Sequence, residues 1–345
     1  MKTKLESIGG NPVHIIGCVV CAGTVLLLNV STQAQSLFVS NYANGGPVYQ
    51  YSPDGTQSTF DSGLPYYEAM AFNSAGNLFV GAQNTGDIYK ITPTGGRTIF
   101  ATGFNGVWGL AFNTAGYLFE ADTLSGHIYK INSSGSKTTF ASGLSNPEGL
   151  AFNTAGILFE ADLGSGKIYE YTADGVKSTF ASGLNEPSAL AFDSAGNLFE
   201  ADLGSGNVYE FTTDGRRSTF ASGLYHPTAL AFDSLGNLFE ADFGSGNIYE
   251  YTPGGVQSTF ASGLPAPGGL AFENEILPVP EPSVLGLLAT GVGAFLIWQC
   301  QARYHLPNQF LEPSAVGASD SAVRATPRIG VGLPHGRWAQ RRLAP

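Results

Sequence analysis

The sequence predicts an all-β protein: a six-bladed β-propeller of four-stranded blades, followed by a short transmembrane helix. Two observations carry the propeller prediction. Each repeat contains four short apolar runs separated by turn residues, and none of these runs has helical length or period. The repeats also share phenylalanines at a constant spacing of 40 residues, namely Phe60, Phe100, Phe140, Phe180, Phe220 and Phe260.

The elements of one blade can be read in order from residues 189–222. "ALAF", "LFEAD", "VYEF" and "RRSTFAS" are the predicted strands, and "DSAGN", "LGSGN" and "TTDG" are the turns between them. Gly, Asp, Asn and Ser supply the positive-φ and Asx-turn positions that tight hairpins require. Several such turns in each of six blades explain why the chain has 46 glycines among 345 residues.

The phase of the repeats predicts that the ring closes. The first repeat begins at Leu37 with the second strand of a blade, and the last ends at Phe272 with a first strand. Three N-terminal strands and one C-terminal strand would therefore complete a single blade and remove the open edges of the sheet. An open solenoid is the alternative.

The N-terminus has the pattern of a secretory signal peptide over residues 1–34. Lys2 and Lys4 precede an apolar run over residues 15–28, and the small residues Thr32 and Ala34 suit cleavage after Ala34. A lipoprotein signal and a retained N-terminal anchor are the alternatives. Cysteine use agrees with export, because residues 35–274, the predicted propeller, contain none and so need no disulfide.

The C-terminal part divides into a Pro-rich linker (275–283), an apolar helix (284–299) and a tail (300–345) rich in Pro and Arg that is predicted to be disordered. The apolar core of the helix would be about 22 Å long, which is short for a membrane span. Trp298 and Arg303 near its end favour a helix that halts translocation.

The segment from Val279 to Ser283, which reads Val-Pro-Glu-Pro-Ser before an apolar helix, resembles the PEP-CTERM sorting signal of Gram-negative envelopes. The resemblance implies export, attachment to the membrane or release after processing, and an exosortase-type enzyme as processing partner. Two features depart from this signal: the Arg cluster after the helix is reduced to Arg303, and the chain continues well beyond it.

Charge is concentrated in the predicted propeller. Residues 36–282 contain 24 acidic and eight basic residues, a net charge of −16, whereas the whole chain carries −11. Phosphate binding needs a basic surface, so this charge excludes nucleic acid as a partner.

The repeats resemble NHL repeats and, more broadly, six-bladed propellers of the gluconolactonase and senescence-marker-protein type. The matching stretches include "PEGLAFNTAGILFEAD" and "PSALAFDSAGNLFEADLGSGNVYEF". The resemblance covers about residues 36–273 and implies a propeller fold. Such propellers include enzymes, binding proteins and scaffolds, so the resemblance does not select a function.

An acidic pair recurs on the predicted second strand of four blades. Two residues apart on a strand, both members of a pair point to the same side, and carboxylate oxygens suit Ca²⁺ or Mg²⁺. The alternative is that each Asp closes its hairpin by accepting backbone N–H bonds. The pairs are Glu120 and Asp122, Glu160 and Asp162, Glu200 and Asp202, and Glu240 and Asp242.

A second candidate is the position just before each first strand. This position lies on the rim of the propeller that carries the blade-to-blade loops. In the gluconolactonase-like propellers that the chain resembles, Glu, Asn and Asp at this rim hold a divalent metal. Only two carboxylates stand here, so the metal set is not reproduced. The series is Glu68, Trp108, Glu148, Ser188, Thr228 and Gly268.

Histidines and aromatic residues are also predicted to lie on this rim. His127 and His226 could act as general bases, with ordinary surface loops as the alternative. Aromatic residues of the same loop series could stack on a sugar or anchor a protein, with plugging between blades as the alternative. They are Tyr66, Tyr67, Phe104, Trp108 and Tyr225.

These observations predict a ligand- or partner-binding scaffold at the cell surface or in the extracellular matrix, with a polysaccharide or protein as the rim ligand. A divalent-cation-dependent lactonase or related hydrolase is the alternative function.

Overall fold

A computed structural model describes residues 14–21, 24–31, 35–42, 46–63 and 67–273. Among these residues no helix is long and apolar enough to cross a membrane. The predicted linker, sorting signal, transmembrane helix and tail all lie outside the described residues. Within the predicted signal peptide, β1 (His14–Cys21) and β2 (Thr24–Ser31) pair as an antiparallel hairpin.

Strands β3 to β26 form six four-stranded antiparallel sheets, which are the six predicted blades. The first, innermost strands are β6 (Tyr67–Phe72), β10 (Val107–Phe112), β14 (Pro147–Phe152), β18 (Pro187–Phe192), β22 (Pro227–Phe232) and β26 (Pro267–Phe272). The second strands are β3 (Leu37–Asn41), β7 (Leu78–Ala82), β11 (Leu118–Asp122), β15 (Leu158–Asp162), β19 (Leu198–Asp202) and β23 (Leu238–Asp242). The third strands are β4 (Val48–Tyr51), β8 (Asp87–Ile91), β12 (His127–Ile131), β16 (Lys167–Tyr171), β20 (Asn207–Phe211) and β24 (Asn247–Tyr251). The outermost strands are β5 (Gln57–Asp61), β9 (Arg97–Thr102), β13 (Lys137–Ser142), β17 (Lys177–Ser182), β21 (Arg217–Ser222) and β25 (Gln257–Ala261).

The ring closes as the repeat phase predicts, because β26 pairs with β3 in the sheet order β26-β3-β4-β5. The backbone N–H of Glu273 also donates to the Ser36 carbonyl at 3.1 Å. Inside the ring, the Gly269 N–H donates to the buried Ser40 Oγ at 2.6 Å. The two ends of the propeller therefore share one blade, and neither end leaves an unpaired inner edge.

The recurring phenylalanines pack in edge-to-face clusters. The ring of Phe159 in the fourth blade lies 5.1 Å from that of Phe180 in the same blade and 5.1 Å from that of Phe192 in the fifth blade, at steep interplanar angles. This geometry is the favoured one for aromatic pairs, and an equivalent trio occurs at each of the six junctions between neighbouring blades. The constant spacing in the sequence thus encodes one repeated core contact.

One turn shows why glycine is needed between the second and third strands. Gly206 has a φ of +66°, which L side chains rarely adopt. A Cβ at this position would lie only 2.3 Å from the Leu224 carbonyl oxygen. The Leu224 N–H donates to the Gly206 carbonyl at 3.0 Å, so this glycine ties the hairpin to the blade-to-blade loop.

Candidate functional site

Two cavities lie on the propeller axis, and Met70, Leu110, Leu150 and Leu190 line both of them. The larger cavity, of about 420 Å³, opens at the carboxyl ends of the first strands. The other, of about 230 Å³, opens where the blade-to-blade loops enter the first strands. We call the second one the rim cavity, because it lies at the predicted functional rim.

A β-bulge interrupts each first strand beside the rim cavity. The pairing of β14 with β15 skips from Pro147 to Leu150, so that Glu148 and Gly149 are left out of the ladder. A bulge re-aims a side chain in this way, and every blade has a register shift at this place. We call the residues at this position the bulge series: Glu68, Trp108, Glu148, Ser188, Thr228 and Gly268.

Small residues follow the bulge series because neighbouring first strands approach closely. A Cβ on Gly149 would lie 2.7 Å from the Ser188 carbonyl oxygen and 2.8 Å from the Ala189 Cα. Such distances would force the backbone to shift, so only glycine fits at this point of the ring. The close approach keeps the rim cavity narrow.

Two members of the bulge series link neighbouring blades through hydrogen bonds. The Ser188 hydroxyl lies 3.0 Å from the carbonyl oxygens of Ala201 and Pro227. The Thr228 hydroxyl lies 3.2 Å from the Pro267 carbonyl oxygen. These hydroxyls therefore satisfy carbonyl groups that the bulges leave unpaired, and they serve the structure of the ring.

Glu148 differs from these two members of the series. Its side chain is only 7% exposed and lines the rim cavity. Burial, with a further contribution from the charge of Glu186, raises the pKa of Glu148 to about 8. No donor among the described residues forms a hydrogen bond with its carboxyl group. A buried carboxyl group that faces a cavity is a candidate functional group.

Three aromatic rings form a roof beside the rim cavity. The ring of Tyr42 lies 6.5 Å from that of Trp108 and 6.0 Å from that of Phe243. The Tyr42 hydroxyl also donates to Gln83 Oε1 at 2.8 Å. Trp108 and Phe243 belong to blades on opposite sides of the ring, so this aromatic roof crosses the axial opening.

The predicted histidines do not line the rim cavity. His127 begins the third strand of its blade and stacks on Tyr129, with ring centroids 5.6 Å apart. His226 lies in a blade-to-blade loop, has a φ of +63° and stacks on Tyr225 at 4.9 Å. The structure thus does not bring these histidines together with Glu148.

The other aromatic candidates are distributed differently. Tyr225 is 62% exposed at the rim, outside the cavity. Tyr67 begins β6, but its side chain and that of Glu68 lie outside the described residues, as does the whole of Tyr66. Among the predicted aromatic residues whose side chains the structure describes, Trp108 is the one that lines the cavity together with Glu148.

The four aspartates of the acidic pairs hold turns together. In the fifth blade, the two Asp202 carboxylate oxygens accept the N–H groups of Asn185 at 2.7 Å and Ser205 at 3.0 Å. Asp122, Asp162 and Asp242 accept equivalent pairs of bonds. Each aspartate therefore closes its own hairpin and also fixes the preceding blade-to-blade loop, as the turn-capping alternative expects.

The four glutamates are buried between blades. Glu160 shares a strand face with Leu158, which packs with Tyr171 against Phe119 of the preceding blade. Both carboxyl oxygens lack a hydrogen-bond partner in Glu120, Glu160, Glu200 and Glu240. Burial, followed by the charge of the neighbouring Asp, raises the pKa of each glutamate well above its usual value.

Each acidic pair stays within its own blade. No group of three or more His, Cys, Asp or Glu side chains among the described residues could hold a metal ion.

The rim residues that sequence reasoning missed follow the second strands. Tyr42 and Phe243 make the aromatic roof, and Gln83 accepts the bond from Tyr42. A signal exists in the sequence, because the residue after the second strand has five different identities in six blades, whereas the aspartate before it recurs in four of them. The series is Tyr42, Gln83, Thr123, Leu163, Leu203 and Phe243.

No protein-family model and no curated protein matches this sequence. Solved structures share its fold. A nidogen/laminin complex contains a chain 18% identical, with a TM-score of 0.64, covering 69% of this chain and 98% of that chain. A streptogramin B lyase is 14% identical, with a TM-score of 0.55, covering 77% and 92%. A gluconolactonase-like protein is 14% identical, with a TM-score of 0.54, covering 61% and 82%. These likenesses establish the six-bladed propeller and no activity.

Proposed function

We propose that this protein is a binding module in which the rim cavity and its aromatic roof hold a ligand or partner at the cell surface or in the extracellular matrix. The observation that carries the proposal is the convergence of Glu148 and Trp108 on a cavity beside Tyr42 and Phe243. The residues of this rim differ between blades, whereas the turns and cores repeat. A site that departs from the repeat is where a repetitive scaffold can recognise one ligand.

Replacing Trp108 by Leu tests the binding role. We expect the full-length protein to bind a polysaccharide or a protein of the secretome saturably. Trp108→Leu should weaken that affinity by about tenfold or more, since an aromatic anchor at the centre of an interface contributes binding free energy of this size. Immobilised glycans and secretome fractions, followed by titration of each captured ligand, provide the measurement.

Tyr117 offers a matched control, because this exposed aromatic residue lies near the hairpin between the first and second strands, at the other end of the blade. Tyr117→Leu should leave the affinity unchanged. Equal effects of the two substitutions, or no saturable binding at all, would contradict a binding site at the rim.

A divalent-cation-dependent lactonase is the second candidate, and the Glu148 carboxyl in the cavity is the observation that favours it. The same preparations should be assayed for lactone hydrolysis with Ca²⁺ or Mg²⁺ added. Metal-dependent turnover that disappears in Glu148→Gln would support this enzyme over a protein that only binds.

We further propose that the protein is exported and attached to a Gram-negative envelope, with an exosortase-type enzyme as its processing partner. The N-terminal pattern and the Pro-Glu-Pro segment support this proposal. Mass spectrometry of the cell-associated protein should find an N-terminus at Gln35, together with loss of the C-terminal tail. A mature chain that keeps both ends and fractionates with cytosolic proteins would contradict it.

A further inference from the structure

Glu148 is the only ionisable side chain among the described residues that line the rim cavity. The other lining residues are aliphatic, small or hydroxylic, apart from Trp108, and they include no Lys, Arg or His. The propeller around this cavity also carries an excess of acidic residues. A ligand that enters the cavity therefore meets a carboxyl group and no positive side chain.

The Glu148 carboxyl is available to a ligand. At the equivalent positions of the next two blades, the Ser188 and Thr228 hydroxyls are engaged by backbone carbonyl oxygens. Within the described part of the chain, Glu148 has no such partner, although its side chain is more than nine-tenths buried. Leaving a carboxyl group buried without a partner costs free energy, and a ligand that pairs with Glu148 would recover that cost.

The aromatic roof adds a second feature that selects ligands. Trp108 lines the cavity beside Glu148, and the chain of rings through Tyr42 to Phe243 crosses the opening. Aromatic faces attract ammonium groups, and aromatic cages recognise quaternary ammonium ligands. The cavity, at about 230 Å³, has room for a compact molecule or for one compact group of a larger ligand.

We propose that the rim cavity binds a small organic cation, with its ammonium group held between the Glu148 carboxylate and the aromatic roof. This inference rests on the proposed binding function and names the ligand class of the cavity. A neutral ligand of the same shape would gain no charge pairing with Glu148. An anion would disfavour ionisation of that carboxyl group and would find no positive side chain among the described lining residues.

Binding of a cation should be coupled to release of a proton. Because burial raises the pKa of Glu148 to about 8, the group is mainly protonated at pH 7 in the free protein. A bound ammonium group favours the carboxylate form, so that the proton leaves as the cation enters. The affinity for the cation should therefore rise as the pH increases from 6 to about 8 and then level off.

Choline and its neutral carbon analogue 3,3-dimethylbutan-1-ol, which have nearly the same shape, provide the test. Isothermal titration calorimetry of the full-length protein should show saturable binding of choline and at least about tenfold weaker binding of the neutral analogue. Titrations at pH 7 in buffers with different ionisation heats should show net release of close to one proton for each choline bound.

Three variants distinguish the contribution of the Glu148 carboxyl group to choline binding from those of a nearby charge and of the aromatic roof. Glu148→Gln should weaken choline binding about tenfold or more and abolish proton release, while leaving the neutral analogue unaffected. Glu186→Gln, which removes an exposed carboxylate outside the cavity, should change choline affinity by less than about threefold. Trp108→Leu should weaken choline binding in the presence of Glu148.

Equal affinities for choline and its neutral analogue, or unchanged choline affinity in Glu148→Gln, would overturn the inference. So would binding of choline without proton release at pH 7. If choline does not bind while a glycan or protein binds in a Trp108-dependent manner, the ligand class is wrong and the proposed binding function stands. If neither choline nor any captured ligand shows saturable binding, both proposals fail.

Discussion

Replacing Glu240 by Val is expected to stabilise the propeller by about 3 kcal/mol at pH 7. Both carboxyl oxygens of Glu240 are buried without hydrogen-bond partners. Burial, followed by the charge of Asp242, raises the pKa of this group well above its usual value and so favours its protonated form. Blades one and two carry Val39 and Val80 at the same position, fully buried, so valine fits this site.

The sign and size of this effect follow from proton binding. In the unfolded chain the glutamate ionises above its usual pKa of 4.5, whereas the raised pKa lets the folded protein keep the proton to higher pH. The folded state then binds more protons, and stability falls as the pH rises, by about 1.4 kcal/mol per pH unit for each such group. The advantage of Glu240→Val should therefore be small at pH 4 and should grow steadily above pH 4.5.

Denaturant unfolding of the wild-type and variant proteins between pH 4 and pH 8 measures the effect. Glu210→Val is the matched control, since Glu210 is a half-buried glutamate on β20 of the adjacent blade and should change stability by no more than about 0.5 kcal/mol. Glu120→Val should gain less than Glu240→Val, because Lys137 favours the charged form of Glu120 and lowers its pKa. A gain for Glu240→Val that does not depend on pH would show that Glu240 is ionised in the folded protein.

Replacing Asp202 by Ala is expected to destabilise the propeller by about 3 kcal/mol. The substitution leaves the N–H groups of Asn185 and Ser205 without their acceptors, and hydrogen bonds to charged groups contribute about 1.5–3 kcal/mol each. Because Asp202 joins its hairpin to the preceding loop, the loss affects the packing of two blades. In a domain of this size the melting temperature should fall by roughly 6–12 °C.

The control for Asp202→Ala is Asp174→Ala, which removes an exposed aspartate from a turn between the third and fourth strands and should cost no more than about 0.5 kcal/mol. Asp202→Asn should lie between the two, because one side-chain oxygen remains and Asn41 occupies this position in the first blade. Thermal and urea unfolding measure the series. If Asp202→Ala costs no more than Asp174→Ala, the bridging role of Asp202 is wrong.

Much of the fold could be predicted because the blades repeat. The spacing of Phe140, Phe180 and Phe220 marks an aromatic contact that every blade makes. The positions of Leu37 and Phe272 within their repeats predicted closure of the ring, and the pairing of β26 with β3 confirmed it.

The candidate site could be predicted only in part. The position of Glu148 and Trp108 before a first strand indicated the rim, and both residues line the cavity there. The acidic pairs looked uniform in sequence, yet each Asp binds backbone N–H groups at a turn and each Glu lies unpaired between blades. Alternation along a strand places both side chains on one face, but it does not reveal what the next blade presents to that face.

The sequence by itself determined the number of blades, the four strands of each and the blade in which the chain closes, because these depend on local patterns repeated every 40 residues. Only the tertiary structure decided which residues meet on the axis. Tyr42, Trp108 and Phe243 lie far apart in the chain and on different blades, and they approach one another because ring closure places the same rim of every blade around one centre. The bulges that aim Glu148 into the cavity likewise depend on the pairing of two strands and leave no mark in the period of the sequence.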